Sequence, residues 1–427
     1  MKAICVLFLC FILIDCQNKS GEKKSEDSFL KESVGEKDEN DLLFDIELDK
    51  VIEDAEEAQI PLSTFFKEIE YIPLETTSKS LIGNGALGIQ QYVVTDKVIM
   101  ADMKIFSRED GHYIGNLLKK GHGPQDYLYV IGIDADDKQE EFYLYDASLF
   151  RVHVVGYDNT YKGAINGCGD YANVYSFGNG NILIPNYCSL HQRYDAFFID
   201  NLNTKDIVYK RISPALQGIS NFEDCKRIGK VKSFIDIIGY IQNSFWKYQD
   251  EIRYYDTLTD TVYTIDKKYQ IKSIGRLDTE KLRMRLDQWK VGAMSQNFYA
   301  YNLKKIFESQ HYILIYLNKS NIVLKDKKDY WIIVSKKDKR VKAFKNKKAA
   351  TEYSFYNDLD QGIPLELNFP TSKADGVCQF LSAEKIKDYI AEKGPSYFTT
   401  EKGKAFKAMG DRLKYDDNEV VAIMKWK

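Results

Sequence analysis

From about Asp45 onward, short runs of apolar and aromatic residues alternate with turn chemistry, and a unit of strand, Asp, strand and turn keeps returning. Lys104-Ile105-Phe106 and His112-Tyr113-Ile114 flank a loop that ends in Asp110-Gly111, a strong hairpin signal. Glu141 to Asp146, Arg151 to Val155 and then Asp158-Asn159-Thr160-Tyr161 repeat the plan. Ala196 to Asp200 with Asp206 to Tyr209 reads as a third copy, and Ile252 to Asp256 with Thr261 to Asp266 as a fourth. Tyr330 to Val334 with Arg340 to Phe344 reads as a fifth. Asp102, Asp146, Asp200 and Asp256 then stand 44, 54 and 56 residues apart, a period expected of units with several strands each.

A unit of this size cannot stand alone, because one face of a small twisted sheet stays exposed until a neighbour covers it. Closing the units into a ring removes both open ends. The expected fold class is therefore all-β, a six-bladed β-propeller over residues 45–427, and the 30 Tyr and 23 Phe suit its strands. The sixth blade must come from the termini. Asp45-Ile46-Glu47-Leu48 at the start and Val420 to Trp426 at the end are the candidates, paired so that the ring is locked shut.

Ahead of this body, Lys2 precedes twelve residues, Ala3 to Ile14, that are all apolar or Cys. This is the plan of a signal peptide, and it is too short for a stop-transfer helix. It ends in Leu13-Ile14-Asp15-Cys16, similar to a bacterial lipoprotein cleavage site, which makes Cys16 the expected lipidation position; a plain secretory signal is the alternative. Residues 17–44 are dominated by Lys, Glu, Asp, Ser and Gly and are expected to form a flexible tether. The expected location is the cell envelope, as an outer-membrane or periplasm-facing lipoprotein, or else the periplasm itself. The net charge of −3 offers no basic footprint for phosphates, so nucleic acid is not expected as a partner.

Lys119-Lys120-Gly121-His122-Gly123-Pro124-Gln125-Asp126-Tyr127, followed by Ile131 to Asp134, Tyr143 to Asp146 and Arg151 to Val154, is similar to an NHL-type propeller repeat. Together with Glu70 to Thr76, Asp360 to Pro364 and the ending Asn418 to Lys427, it resembles the bacterial six-bladed β-propeller lipoproteins over residues 45–427. In that family the segment like Glu70 to Thr76 opens the first blade. The resemblance implies fold and export, and it carries no catalytic residues to transfer. His122 and Gln125-Asp126 stand where the family's Gly-Pro motif has commoner residues.

Chemistry must be read from the residues. The glycines of Gly121-His122-Gly123-Pro124 could let a backbone approach an anion, with the His122 imidazole beside it, but a tight inter-blade turn needs the same residues. Arg283, Arg285 and Trp289, in a long connection from Leu282 to Phe307, suit a recognition surface or a covering flap. The five histidines have no paired ligand spacing and the body cysteines no Cys-x-x-Cys, so neither a metal nor a cofactor is expected. Cys168 with Cys188 is the expected disulfide if one forms. Asp134, Asp136 and Asp137 read as an acidic turn before they read as a calcium site. Near the end, Ser382 precedes Ile386, Tyr389 and Ile390, and Thr400 precedes Phe406, Met409 and Leu413, predicting two capped amphipathic helices packed on the ring.

The functional expectation is a binding or scaffold module for a glycan, a peptide or an envelope protein. The alternative is a propeller hydrolase or lyase acting on a sugar or lactone, which needs carboxylates converging at the channel mouth.

Overall fold

The computed structural model describes residues 42–83, 91–149, 151–166, 173–185, 195–203, 207–212, 244–256, 259–278, 300–321, 326–346 and 355–427. Six antiparallel sheets make the ring. Blade 1 holds Tyr92–Val94, Val98–Ala101, Lys104–Ser107 and Tyr113–Asn116; blade 2 holds Val130–Asp136, Glu141–Asp146, Arg151–Gly156 and Tyr161–Asn166. Blade 3 holds Tyr175–Ser176, Asn181–Pro185, Asp195–Asn201 and Ile207–Ile212. Blade 4 holds Ser244–Tyr248, Glu251–Asp256, Thr261–Ile265 and Ile271–Asp278; blade 5 holds Ala300–Glu308, Tyr312–Asn321, Asp326–Ser335 and Val341–Lys345. Blade 6 holds Phe369–Pro370, Gly376–Leu381, Val420–Trp426 and, as its last strand, Phe66–Pro73. First strands of neighbouring blades touch, blade 1 against blades 2 and 6, blade 2 against 3 and blade 4 against 5, so they line the axis.

Blade 2 shows why second strands are apolar throughout instead of alternating. Successive side chains point to opposite faces of a sheet, and here each face is covered by a different blade. Phe142 and Leu144 pack with Val98, Met100 and Ile105 of blade 1. Tyr143 and Tyr145 pack with Ile182 and Ile184 of blade 3. All four blade 2 side chains are fully buried, and each contributes about 1.5–3 kcal/mol. The strand ends at Asp146, which accepts amides from Leu128 at 2.7 Å, Tyr129 at 3.2 Å, Ser148 at 3.0 Å and Leu149 at 3.2 Å. Burial opposes its charge, but His153 and these amides outweigh burial and hold the carboxyl down to about 2.

The ring is closed by the two ends of the domain. Val420–Trp426 lies between Gly376–Leu381 and Phe66–Pro73, with Val421 opposite Ile72 and Trp426 opposite Phe66. The indole of Trp426 stacks on Phe66 at 4.4 Å and donates to the Ala374 carbonyl at 3.1 Å. Of the two candidates for the closing blade, Val420 to Trp426 is in it and Asp45 to Leu48 is not. Phe44–Glu47 runs parallel to Gly275–Asp278 as a fifth strand on blade 4. It begins at Phe44, one residue inside the stretch read as tether. Phe44 packs flat over Gly275, where a Cβ would meet its ring at 2.5 Å.

From there the chain laces three blades together. Helix α1 (Leu48–Glu53) lies against the outer strand of blade 5, and Glu56 exchanges amide bonds with Ala343 and Lys345 at 3.0 and 2.9 Å. Ile60–Pro61 then pairs with Phe355–Tyr356 before the chain enters blade 6.

The repeat was real but its phase was not uniform. The second and fourth copies are strands two and three of blades 2 and 4. The first, third and fifth copies are strands three and four of blades 1, 3 and 5, so Asp200 is not the counterpart of Asp146. Within blades 1 to 5 the four successive strands pair antiparallel with their neighbours, and such a pair looks alike wherever it sits in the blade. The connection read from Leu282 to Phe307 also needs correcting, since its last part, Ala300–Glu308, is the first strand of blade 5.

The two C-terminal helices are inserted between the second and third strands of blade 6. Ser382 caps α2 (Ala383–Lys393) by accepting from Lys385 N at 3.3 Å, and Thr400 caps α3 (Glu401–Arg412) by accepting from Gly403 N at 3.0 Å. Ile386, Ile390 and Phe406 are buried in the cluster that holds Leu365, Val420 and Met424, which makes this helical face part of the core.

Candidate functional site

All first strands run the same way, so the turns from first to second strand emerge on one face of the ring. The blade-to-blade connections emerge on the other. On the first face a cleft of about 360 Å³ opens at the axis. Its walls are Asp136, Asp137 and Lys138 of blade 2, Ser176 and Gly178 of blade 3, Lys247, Gln249, Asp250 and Glu251 of blade 4, and Ser372 and Lys373 of blade 6.

The recessed first strand of blade 3, only Tyr175–Ser176, lets blades 2 and 4 meet across it. Asp134 accepts the Ser176 amide at 2.6 Å and pairs with Lys247, whose ammonium also donates to the Ala135 carbonyl at 3.2 Å. Burial holds the Asp134 carboxyl above the ordinary range even with Lys247 beside it. Asp136 accepts the amides of Lys138 at 2.9 Å and Gln139 at 3.2 Å and the Ser176 hydroxyl at 3.2 Å. Asp137 accepts the Asp96 amide at 3.1 Å, the Tyr157 hydroxyl at 3.2 Å and the Ser372 hydroxyl. At the rim Lys138 reaches Asp250 at 3.0 Å and Lys373 reaches Asp96. Lys138 and Lys267 together hold the Asp250 carboxyl below its usual value.

The cleft is thus a set of ion pairs and hydrogen bonds that ties blades 1, 2, 3, 4 and 6 together. The reading of Asp134, Asp136 and Asp137 as an acidic turn holds only for Asp137: Asp134 and Asp136 belong to the strand Val130–Asp136, and each of the three is engaged by amides, hydroxyls or Lys. Among the described residues no three His, Cys, Asp or Glu side chains are grouped to hold a metal ion.

A second knot joins blades 4 and 5. Glu308, fully buried, accepts from Trp246 Nε1 at 2.8 Å, Arg253 Nε at 3.3 Å and Lys336 Nζ at 2.7 Å. Burial pushes the Lys336 ammonium below its usual value although Glu308 pulls it the other way. Tyr248 lies 3.9 Å from the Lys336 ammonium and 5.2 Å from the Arg253 guanidinium.

The structure places the sequence candidates elsewhere or outside its described residues. His122 is exposed on a blade-to-blade connection, on the face opposite the cleft. Its loop closes on itself: Gly121 N donates to the Tyr127 carbonyl at 3.0 Å and Gly123 N to Asp126 Oδ2 at 2.8 Å. Those amides are occupied, and a Cβ at Gly121 would meet the Asp126 carboxylate at 2.4 Å, so the glycines serve the turn. Arg283, Arg285 and Trp289 lie outside the described residues, as do Cys16, Cys168, Cys188 and Cys225. Cys378 is a free thiol, buried, and burial pushes it up to about 12.

Sequence reasoning missed Lys138, Lys247, Ser372 and Lys373. All sit at or beside the turn from the first to the second strand of their blade, so a correctly phased repeat would have aligned them.

Residues 43–425 match the family model described as Domain of unknown function (DUF4934). No curated protein matches the chain. Among solved structures, a "Putative exported protein" from Bacteroides fragilis is 15% identical, covers 87% of this chain and 98% of its own, and superposes with a TM-score of 0.58. A member of the DUF4221 family from Bacteroides vulgatus is 10% identical over 85% of this chain and 97% of its own, with a TM-score of 0.46. The first of these likenesses shows the fold.

Proposed function

The chain belongs to the DUF4934 family, and from that premise we propose that it is an exported six-bladed propeller acting as a binding module, with its ligand at the axial cleft. Export is supported by the apolar segment Ala3 to Ile14 and by the name of the Bacteroides fragilis neighbour. Lipid attachment at Cys16 would tether the ring to the envelope membrane; no helix among the described residues is long and apolar enough to cross one. Cys16→Ser is then expected to move the protein from the membrane fraction to the soluble fraction. Unchanged fractionation would remove the anchor from the proposal.

The observation that carries the binding reading is the cleft itself, a concave surface that mixes charged and hydroxyl side chains with apolar area and is drawn from four blades of the ring. Its carboxylates serve the ring: Asp136, Asp137, Asp250 and Glu251 each accept from a neighbouring turn or strand, which fixes the shape of the surface offered to a ligand. The partner is then a glycan, a peptide or an envelope protein.

Thermal unfolding of the full chain against panels of glycans, peptides and divalent metals tests the reading. A ligand at 100 times its Kd is expected to add about 2.7 kcal/mol of stability, raising Tm by several degrees. No shift with any panel would overturn a small-ligand binding role.

A further inference from the structure

On the same face, a second polar cleft of about 440 Å³ opens between blades 2 and 3. Two turns, residues 136–140 and 177–180, stand between it and the axial cleft. Lys138 and Gly178 line the axial side, and their neighbours Gln139 and Asn179 line the other. The two clefts therefore share a wall. Each falls within the range of about 300–1,000 Å³ that takes a drug-sized ligand.

Their chemistry differs. In the axial cleft the charged groups are bound to one another. In the inter-blade cleft, the side-chain amides of Gln139 and Asn203 and the Nδ2 of Asn179 have no hydrogen-bond partner among the described residues, and all three residues are exposed. Asn179 is held with its Nδ2 available, because its Oδ1 accepts both Asn181 N at 3.2 Å and Asn181 Nδ2 at 3.0 Å. Asn203 is fixed through its backbone, N to Asn201 Oδ1 at 2.9 Å. The charged pair in the wall, Lys162 and Glu141, is closed on itself at 2.8 Å.

Amides that can donate and accept, in a wall whose charges cancel, match the hydroxyls of a neutral sugar. An anionic or cationic ligand would have to break the Lys162–Glu141 pair to gain a counter-charge. Resting on the binding-module reading, we infer that the paired clefts hold a neutral oligosaccharide: Gln139, Asn179 and Asn203 hydrogen-bond its hydroxyls, and one end enters the axial cleft.

Calorimetric titration of the full chain tests this with neutral oligosaccharides of several linkages, a uronic-acid oligosaccharide and charged peptides, each at about 0.05 and 0.5 M salt. A neutral oligosaccharide is expected to bind with affinity unchanged by salt. The double variant Gln139→Ala/Asn203→Ala, whose side chains touch no core, is expected to keep the wild-type Tm and bind it about tenfold more weakly. Tight, salt-sensitive binding of the peptide or the uronic-acid oligosaccharide alone would overturn the inference and leave the binding-module reading standing. So would neutral-sugar binding that the double variant does not weaken. Binding of nothing in the series would overturn the inference together with the glycan and peptide readings, and leave an envelope protein as the partner of the binding module.

Discussion

Deleting residues 420–427 is expected to abolish the folded ring. Val420–Trp426 is an interior strand of blade 6, and its removal leaves Gly376–Leu381 and Phe66–Pro73 without the partner that joins them. Val420, Val421, Ala422, Ile423 and Met424 are all buried, and at about 1.5–3 kcal/mol for each large side chain their loss approaches the whole stability of an ordinary domain, about 5–15 kcal/mol. The deletion should give insoluble protein, or a chain with no cooperative melting transition by circular dichroism. The single change Trp426→Ala, which removes the stack on Phe66 and the bond to Ala374, should cost about 3–5 kcal/mol and leave a measurable, lowered Tm. A deletion variant that melts cooperatively at the wild-type temperature would show that the ring does not depend on this closure.

Glu308→Ala should be the most damaging single polar substitution, at about 3–5 kcal/mol. The variant leaves Arg253 and Lys336, both largely buried, without their shared carboxylate, and leaves the Trp246 indole N–H without an acceptor. Desolvated charge without a partner is the costly state, so the loss should exceed that of removing an exposed pair such as Lys342–Glu56, for which about 0–1 kcal/mol is expected. Urea unfolding of the three proteins measures it. If Glu308→Ala costs no more than Glu56→Ala, the knot between blades 4 and 5 contributes little to holding the ring.

The candidate site was much less legible than the fold. The acidic group Asp134, Asp136 and Asp137 could be seen because it is contiguous, but the turn it suggests holds only Asp137, whereas Asp134 and Asp136 are the end of the first strand of blade 2. The lysines and serines that complete the cleft come from turns in separate blades and share no motif. His122 drew notice because Gly121-His122-Gly123-Pro124 is locally unusual, yet the structure gives its glycines to a self-closing turn.

What the sequence determined by itself is what neighbours along the chain decide. The strands follow from short apolar runs between turn residues, the Asp110-Gly111 hairpin from a glycine at φ 77, and the two helices from Ser382 and Thr400 caps ahead of periodic apolar positions. The tertiary structure alone decided which hairpins belong to which strands of a blade, since all hairpins carry the same local signal. It alone placed Phe44–Glu47 on blade 4 and joined Trp426 to Phe66, and it alone brought Lys247 to Asp134 over the short strand of blade 3. Those pairings are fixed by closing a ring of six sheets, so that each face is covered by its neighbour, and no local stretch of sequence contains that condition.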